Sequence, residues 1–184
     1  MRIVSSLNVM LCGILLLTAT GCSSAFRVDP NDPLAVNEEV AVERDPFKNI
    51  MYYHGPVISN EADNGGDAPE VEDIELHART EQERPTRYFL RITDYYDGDW
   101  RGFDQAFDLA GGKFHALAVM HKVNCTLFCG YDEVLDIELS RKYLDDHAET
   151  GITMRLYGPS GAASAPFTLP AGYIQGFLKG SYSD

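Results

Sequence analysis

The sequence predicts a mainly β protein, an antiparallel β-sandwich or meander with one or two short helices. Three observations carry that expectation. Six or more short stretches rich in β-branched and aromatic residues follow one another, with turn signals between them. Two of them, around Tyr88 to Ile92 and Tyr131 to Leu139, alternate apolar and polar residues with the period of two of a half-buried strand. No internal repeat is visible, and helical character is confined to short stretches near the carboxyl end.

In chain order, the first feature is an address. Arg2 supplies a minimal positive start, and Val9 to Leu17 is an uncharged apolar run of nine residues. That is the length of a signal-peptide core and well short of the ~20 residues that cross a membrane. Ala19-Thr20-Gly21-Cys22 follows at once. Small residues ahead of a Cys resemble the lipobox of bacterial lipoproteins, with Ala19 where Leu is usual. The resemblance implies removal of residues 1–21, a diacylglyceryl group on the Cys22 thiol and acylation of the new amino end. An ordinary secretory signal is the competing reading. It is disfavoured because Cys22 falls where the apolar run ends. Ser23 stands where an Asp would resemble an inner-membrane retention signal. For a Gram-negative source this implies an outer-membrane anchor with the body on the periplasmic side.

Residues 22–45 carry scattered Pro and acids without a period and read as a flexible acidic tether. The β domain is expected over 46–180. Met51 to Ile58 favours strand, and Pro56 places it at an edge or a bulge. Residues 59–84 hold nine acids and two Arg and read as a mobile loop, with room for a short strand at Val71 to Leu76. Tyr88 to Ile92 is a strand, and Asp97-Gly98 is a turn. Trp100 to Leu109 suits helix or strand, and Gly111-Gly112 favours a hairpin. Phe114 to Val123, nearly all apolar, reads as a central strand. Tyr131, Glu133, Leu135, Ile137 and Leu139 form the buried row of the next strand. Ser140 caps a short helix from Arg141 to His147 that Gly151 closes. Ile152 to Leu156 and Pro166 to Leu169 are strands around the turn at Gly158 to Gly161. Pro170 opens a terminal helix that closes the core with Tyr173, Ile174 and Phe177.

Cys12 leaves with the signal, so Cys125 and Cys129 remain in a compartment that permits disulfides. On one extended strand they stand ~13 Å apart, so pairing requires a turn between them. The expected bond pins a hairpin. A zinc site with His115 and His121 is the alternative, but the spacing is not that of a zinc finger, and the two His share a strand face ~20 Å apart. A Cys–His nucleophile lacks an identifiable orienting group.

The chain has a net charge of −13, concentrated in the two acidic stretches, and no basic stripe. Nucleic acid is therefore excluded as a partner. The motif set of phosphate-binding loops, serine elbows and zinc helices is absent, and no cofactor is implied. Asp94, Asp97, Asp99 and Asp104 around Gly98 are weak calcium candidates that miss the EF-hand spacing. Tyr95, Tyr96 and Trp100 could form an aromatic surface for a glycan or a protein partner, although core packing is the simpler reading.

Several stretches resemble a family of proteobacterial predicted lipoproteins. They are Asp45-Pro46-Phe47, Gly55-Pro56, Tyr88 to Arg91, Tyr96 to Arg101, the Cys pair, and Leu169 to Leu178. The resemblance implies a shared fold and an envelope location, and it implies no activity. Three classes of function follow: a non-enzymatic module that binds an envelope protein or supports assembly, a ligand- or glycan-binding module, and an enzyme. The missing catalytic constellation disfavours the third.

Overall fold

The computed structural model describes residues 28–59, 71–125, 129–159 and 161–181. The segment expected to be a signal peptide, Cys22, and the Asn64-Gly65-Gly66-Asp67 stretch lie outside the described residues.

The protein is mainly β, as the alternation predicts. Its elements run α1 (Pro33–Glu38), β1 (Ala41–Asp45), β2 (Ile50–His54), β3 (Ile58–Ser59), β4 (Val71–Glu81), β5 (Arg87–Asp97), β6 (Gln105–Asp108), β7 (Lys113–Cys125), β8 (Cys129–Leu139), α2 (Arg141–Asp146), β9 (Ile152–Tyr157), β10 (Phe167–Leu169) and α3 (Ala171–Gly180). The strands join one ten-stranded antiparallel sheet in the order β1-β2-β4-β5-β8-β7-β6-β9-β10, with β3 on β4. The central strands earn their place by alternation. On β5, Tyr88, Leu90, Ile92, Asp94 and Tyr96 point inward and the residues between them point out. On β8, Glu133, Leu135, Ile137 and Leu139 are buried as read from the sequence. These rows pack with β9, β10 and α3 into one apolar cluster.

Helix α3 closes that cluster. Tyr173, Ile174 and Phe177 are fully buried. The Tyr173 hydroxyl donates to the Pro56 carbonyl at 2.6 Å and accepts from the Leu76 amide at 3.2 Å. It thereby satisfies backbone groups beside the break that Gly55-Pro56 makes between β2 and β3. On its other side α3 meets α1 across three glycines. A Cβ on Gly172 would be driven into the Asn31 carbonyl, and one on Gly176 would lie 2.5 Å from the Pro33 oxygen. One on Gly180 would lie 2.7 Å from Val40. The four-residue spacing puts all three on one helix face.

Three expectations change. The stretch expected to be a tether carries α1 and β1. Asp32 caps α1 by accepting from the Leu34 amide, Pro33 opens it, and Val36 is fully buried against α3. The stretch expected to be a loop over 59–84 contains an eleven-residue strand, β4. Val71, Ile74, Leu76 and Ala78 of β4 reach the core, and most of its acids lie on the opposite face. The segment from Met51 to Ile58 is an edge only in part: β2 lies between β1 and β4, whereas β3, beyond the break at Gly55-Pro56, pairs with β4 alone. The short helix forms as expected at α2, with Ser140 accepting from the Tyr143 amide and Gly151 at φ +77°. Its charges oppose the macrodipole, but Arg141–Asp145 and Lys142–Asp146 pair one turn apart.

Candidate functional site

The inward polar groups of β5 and β8 organise the loop between β5 and β6. Glu133 is completely buried in an otherwise apolar row. It accepts from the Tyr96 hydroxyl at 2.7 Å, from the Gly102 amide at 2.9 Å and from the Phe103 amide at 3.2 Å. The loop is thus drawn inward, and Phe103 enters the core. Asp94, also fully buried, sits across the ladder from Glu133, with an Arg101 nitrogen 3.9 Å from its carboxylate. Arg101 lies 4.3 Å over the Tyr96 ring. Burial raises the Tyr96 phenol far above its ordinary pKa, keeping it a donor.

This arrangement redistributes the residues singled out in the sequence. Asp94 faces Arg101 inside the protein, whereas Asp97 and Asp99 are exposed at and beyond the end of β5. Among the described residues no three His, Cys, Asp or Glu side chains converge as a metal site, and these four Asp are no exception. Tyr96 is core, and the Tyr95 ring lies against Gly130. Trp100 is half-exposed at 42%, its ring edge-on to Tyr131 at 4.6 Å and tilted against His121 at 4.9 Å. The three aromatics therefore do not share one surface. Cys125 and Cys129 face each other as the last pair of the β7–β8 ladder, disulfide-bonded with Cα atoms 4.1 Å apart. Thr126, Leu127 and Phe128 between them lie outside the described residues.

Strand β7 departs most from expectation. It lies centrally in the sheet order, yet among its described side chains only Ala116 is buried. Leu117, Val119, Met120 and Val123 are 60%, 44%, 52% and 47% exposed. The reason is its pairing. Strand β6 covers only Lys113 to His115, while β8 pairs with β7 from Ala116 to the disulfide. The last contact on the β6 side is the Ala116 amide bonding to the Asp104 carbonyl at 2.9 Å. Beyond it the loop turns in toward Glu133, and among the described residues no strand lines that edge. A bulge between Ala118 and Met120 also shifts the register. It puts His115 on the outer face beside Leu117 and turns His121 toward Trp100, so the two His do not share a face.

Across the outer face of β2, β4, β5 and β8 runs a charged and aromatic band. His54, His77 and Phe89 follow one another across the ladder, with ring centroids 6.0 and 5.2 Å apart. In the next row Arg91 forks onto Asp136 at 2.8 and 2.9 Å. Shallow hollows of about 220 and 330 Å3 lie beside Phe89 and Leu117. Burial pushes the Asp136 carboxyl up, but His77 and Arg91 outweigh it and hold the group at about 2. The His77 contact is long, at 3.4 Å. The Arg91 fork is the better-formed interaction.

Asp136 gives a pH test. Its folded pKa lies below the ordinary 3.8, so its contribution is complete above that value and is lost as pH falls through about 2. Asp136→Asn is expected to lower stability at neutral pH by on the order of 2 kcal/mol. It should also flatten the loss of stability between about pH 4 and pH 2. Urea unfolding across that range measures both. An unchanged slope would show that Asp136 is not the group titrating.

Comparison with protein-family models, curated proteins and solved structures finds no match.

Proposed function

We propose that this is a lipid-anchored protein of the cell envelope, held through Cys22, that works as a non-enzymatic partner-binding module facing the periplasm of a Gram-negative cell. The observation that carries the reading is the exposed apolar run on β7. Large apolar side chains exposed along one strand edge of an otherwise acidic protein mark a contact site more often than a solvated face. The signal segment ending in Ala19-Thr20-Gly21-Cys22 supports the anchor, and its resemblance to lipoproteins supports the compartment. The charges of the outer face also fit a non-catalytic role, because Arg91 and Arg87 are engaged by Asp136 and Glu138. A second reading, a small-ligand or glycan module, draws on the hollow beside Phe89.

The anchor and the contact are tested separately. Cys22→Ser is expected to move the protein from the membrane fraction to the soluble periplasm or to block its processing. Partition identical to the wild type would remove the anchor. A photo-cross-linking residue at Val119 in the full-length, membrane-borne chain is expected to capture a discrete protein adduct, while one at Phe89 is not. Adducts at Phe89 alone would move the contact to the outer hollow. The absence of adducts at both positions would overturn the partner-binding reading.

A further inference from the structure

We infer that the partner enters as an added β-strand on the edge of β7 that no described strand covers, and that this strand alternates apolar residues with Asp or Glu. The inference rests on the partner-binding reading and specifies its chemistry.

The edge is available because of how its neighbour ends. From Leu117 to Val123 one side of β7 is paired to β8, and the other carries no described strand. The backbone amides and carbonyls on that side form an open template for a further strand. The side chains flanking the template are apolar on both faces. Leu117 shares the outer face with Asp136, while Val123 pairs with Tyr131 on the opposite face, beside Trp100. A strand laid here would find apolar neighbours whichever way its alternate residues point.

Charge selects among the occupants. From Leu117 to Val123, the stretch that β6 leaves uncovered, there is no Asp or Glu, while Lys122 and His121 are present. The chain as a whole carries 28 acids and a net charge of −13. Exposed charges interact over about 8 Å at physiological salt, so the local stretch and not the total sets the sign an added strand meets. Lys122 leans on Asp132 at 3.8 Å, yet its side chain remains 59% exposed. A second copy offering the same edge would bring Lys-bearing strands together. The bulge between Ala118 and Met120 would also interrupt a long regular ladder between two folded edges. A short extended segment can follow the bulge, and acids along it would meet Lys122 and His121.

The test uses the full chain in detergent and a synthetic ten-residue peptide alternating Val with Asp and Glu. A matched peptide with Lys in place of the acids is the control. The acidic peptide is expected to slow amide exchange at Leu117 to Val123 at least tenfold and to bind at least tenfold more tightly than the Lys peptide. Leu117→Glu with Met120→Glu should weaken it at least tenfold without changing the melting temperature, since both side chains are exposed. Lys122→Glu should shift the preference toward the Lys peptide. Equal binding of the two peptides, or protection elsewhere, would overturn the inference. So would dimers formed through this edge without peptide, or β7-dependent binding to phosphatidylglycerol vesicles. A protein adduct at Val119 with no peptide protection would leave partner binding standing and remove only the added strand. Failure at both would remove the two together.

Discussion

Glu133→Ala is expected to destabilise the protein by about 3–5 kcal/mol, because a completely buried carboxyl with three donors converging on it is lost. The Tyr96 hydroxyl and the amides of Gly102 and Phe103 would remain in place without their acceptor. Apolar burial does not compensate for stranded donors. One term opposes the loss. Asp94 lies across the ladder from Glu133, and removing one of two buried acids relieves their repulsion. Three hydrogen bonds outweigh one relieved pair, so the net effect stays large. Glu133→Gln should cost less, since one oxygen still accepts while the amide nitrogen faces a donor. Trp100 is the single tryptophan and rides on this loop, so its fluorescence should shift to the red as the loop leaves Tyr131. Urea unfolding gives the size of the loss and Trp100 emission its location. A Glu133→Ala protein with wild-type stability and emission would show that the loop is held by Phe103 alone.

Gly172→Ala combined with Gly176→Ala is expected to undock α1 from α3. Alanine raises intrinsic helix stability by about 1 kcal/mol per position, which taken alone would strengthen α3. The contact decides otherwise. Both new methyl groups meet the backbone of residues 31–33, which cannot rotate away as a side chain can. The simplest relief is to release α1, exposing Val36 and forfeiting about 1.5–3 kcal/mol of burial. Hydrogen exchange and limited proteolysis should then find residues 31–40 opened, while β4, β5 and β8 stay protected by the other face of α3. Unchanged protection at Val36 would mean that the helices slide apart without separating.

Legibility in the sequence followed the origin of each feature. Strands β5 and β8 were readable because burial on one face writes a period of two, and the same period placed Glu133 in the buried row. An acid in that row was the available signal for the loop anchor. Strand β4 was obscured because its outward positions are Glu72, Asp73 and Glu75, so acid content suggested a loop while the inward residues kept the strand pattern. Helix α1 was hidden by the same acidity. The cap at Asp32, Pro33 after it and the glycines at 172, 176 and 180 were its signals, but the last lie at the far end of the chain. Strand β7 is legible as a central strand, and the sheet order agrees; its exposure is not legible, since an apolar run marks burial or an exposed contact strip equally well. The bulge that separates His115 from His121 leaves no local signature in the sequence, so their faces are set by the β7–β8 pairing.

The Tyr173 hydroxyl bridges to Leu76 and Pro56, partners 97 and 117 residues away in sequence. That separation bears on the order of assembly. A chain emerging amino end first exposes β2 and β4 long before the ten-residue helix α3 that covers them is available. Loop-closure entropy must be met before those distant contacts repay it, so folding is set by topology and is slow for the chain's size. Until α3 arrives, Ile74, Leu76 and the break at Gly55 face water, and the half-made sheet is open to mispairing and capture by holding chaperones. The native state thus completes from its carboxyl end, and a stop a few residues before Tyr173 removes the closing step while leaving every strand intact.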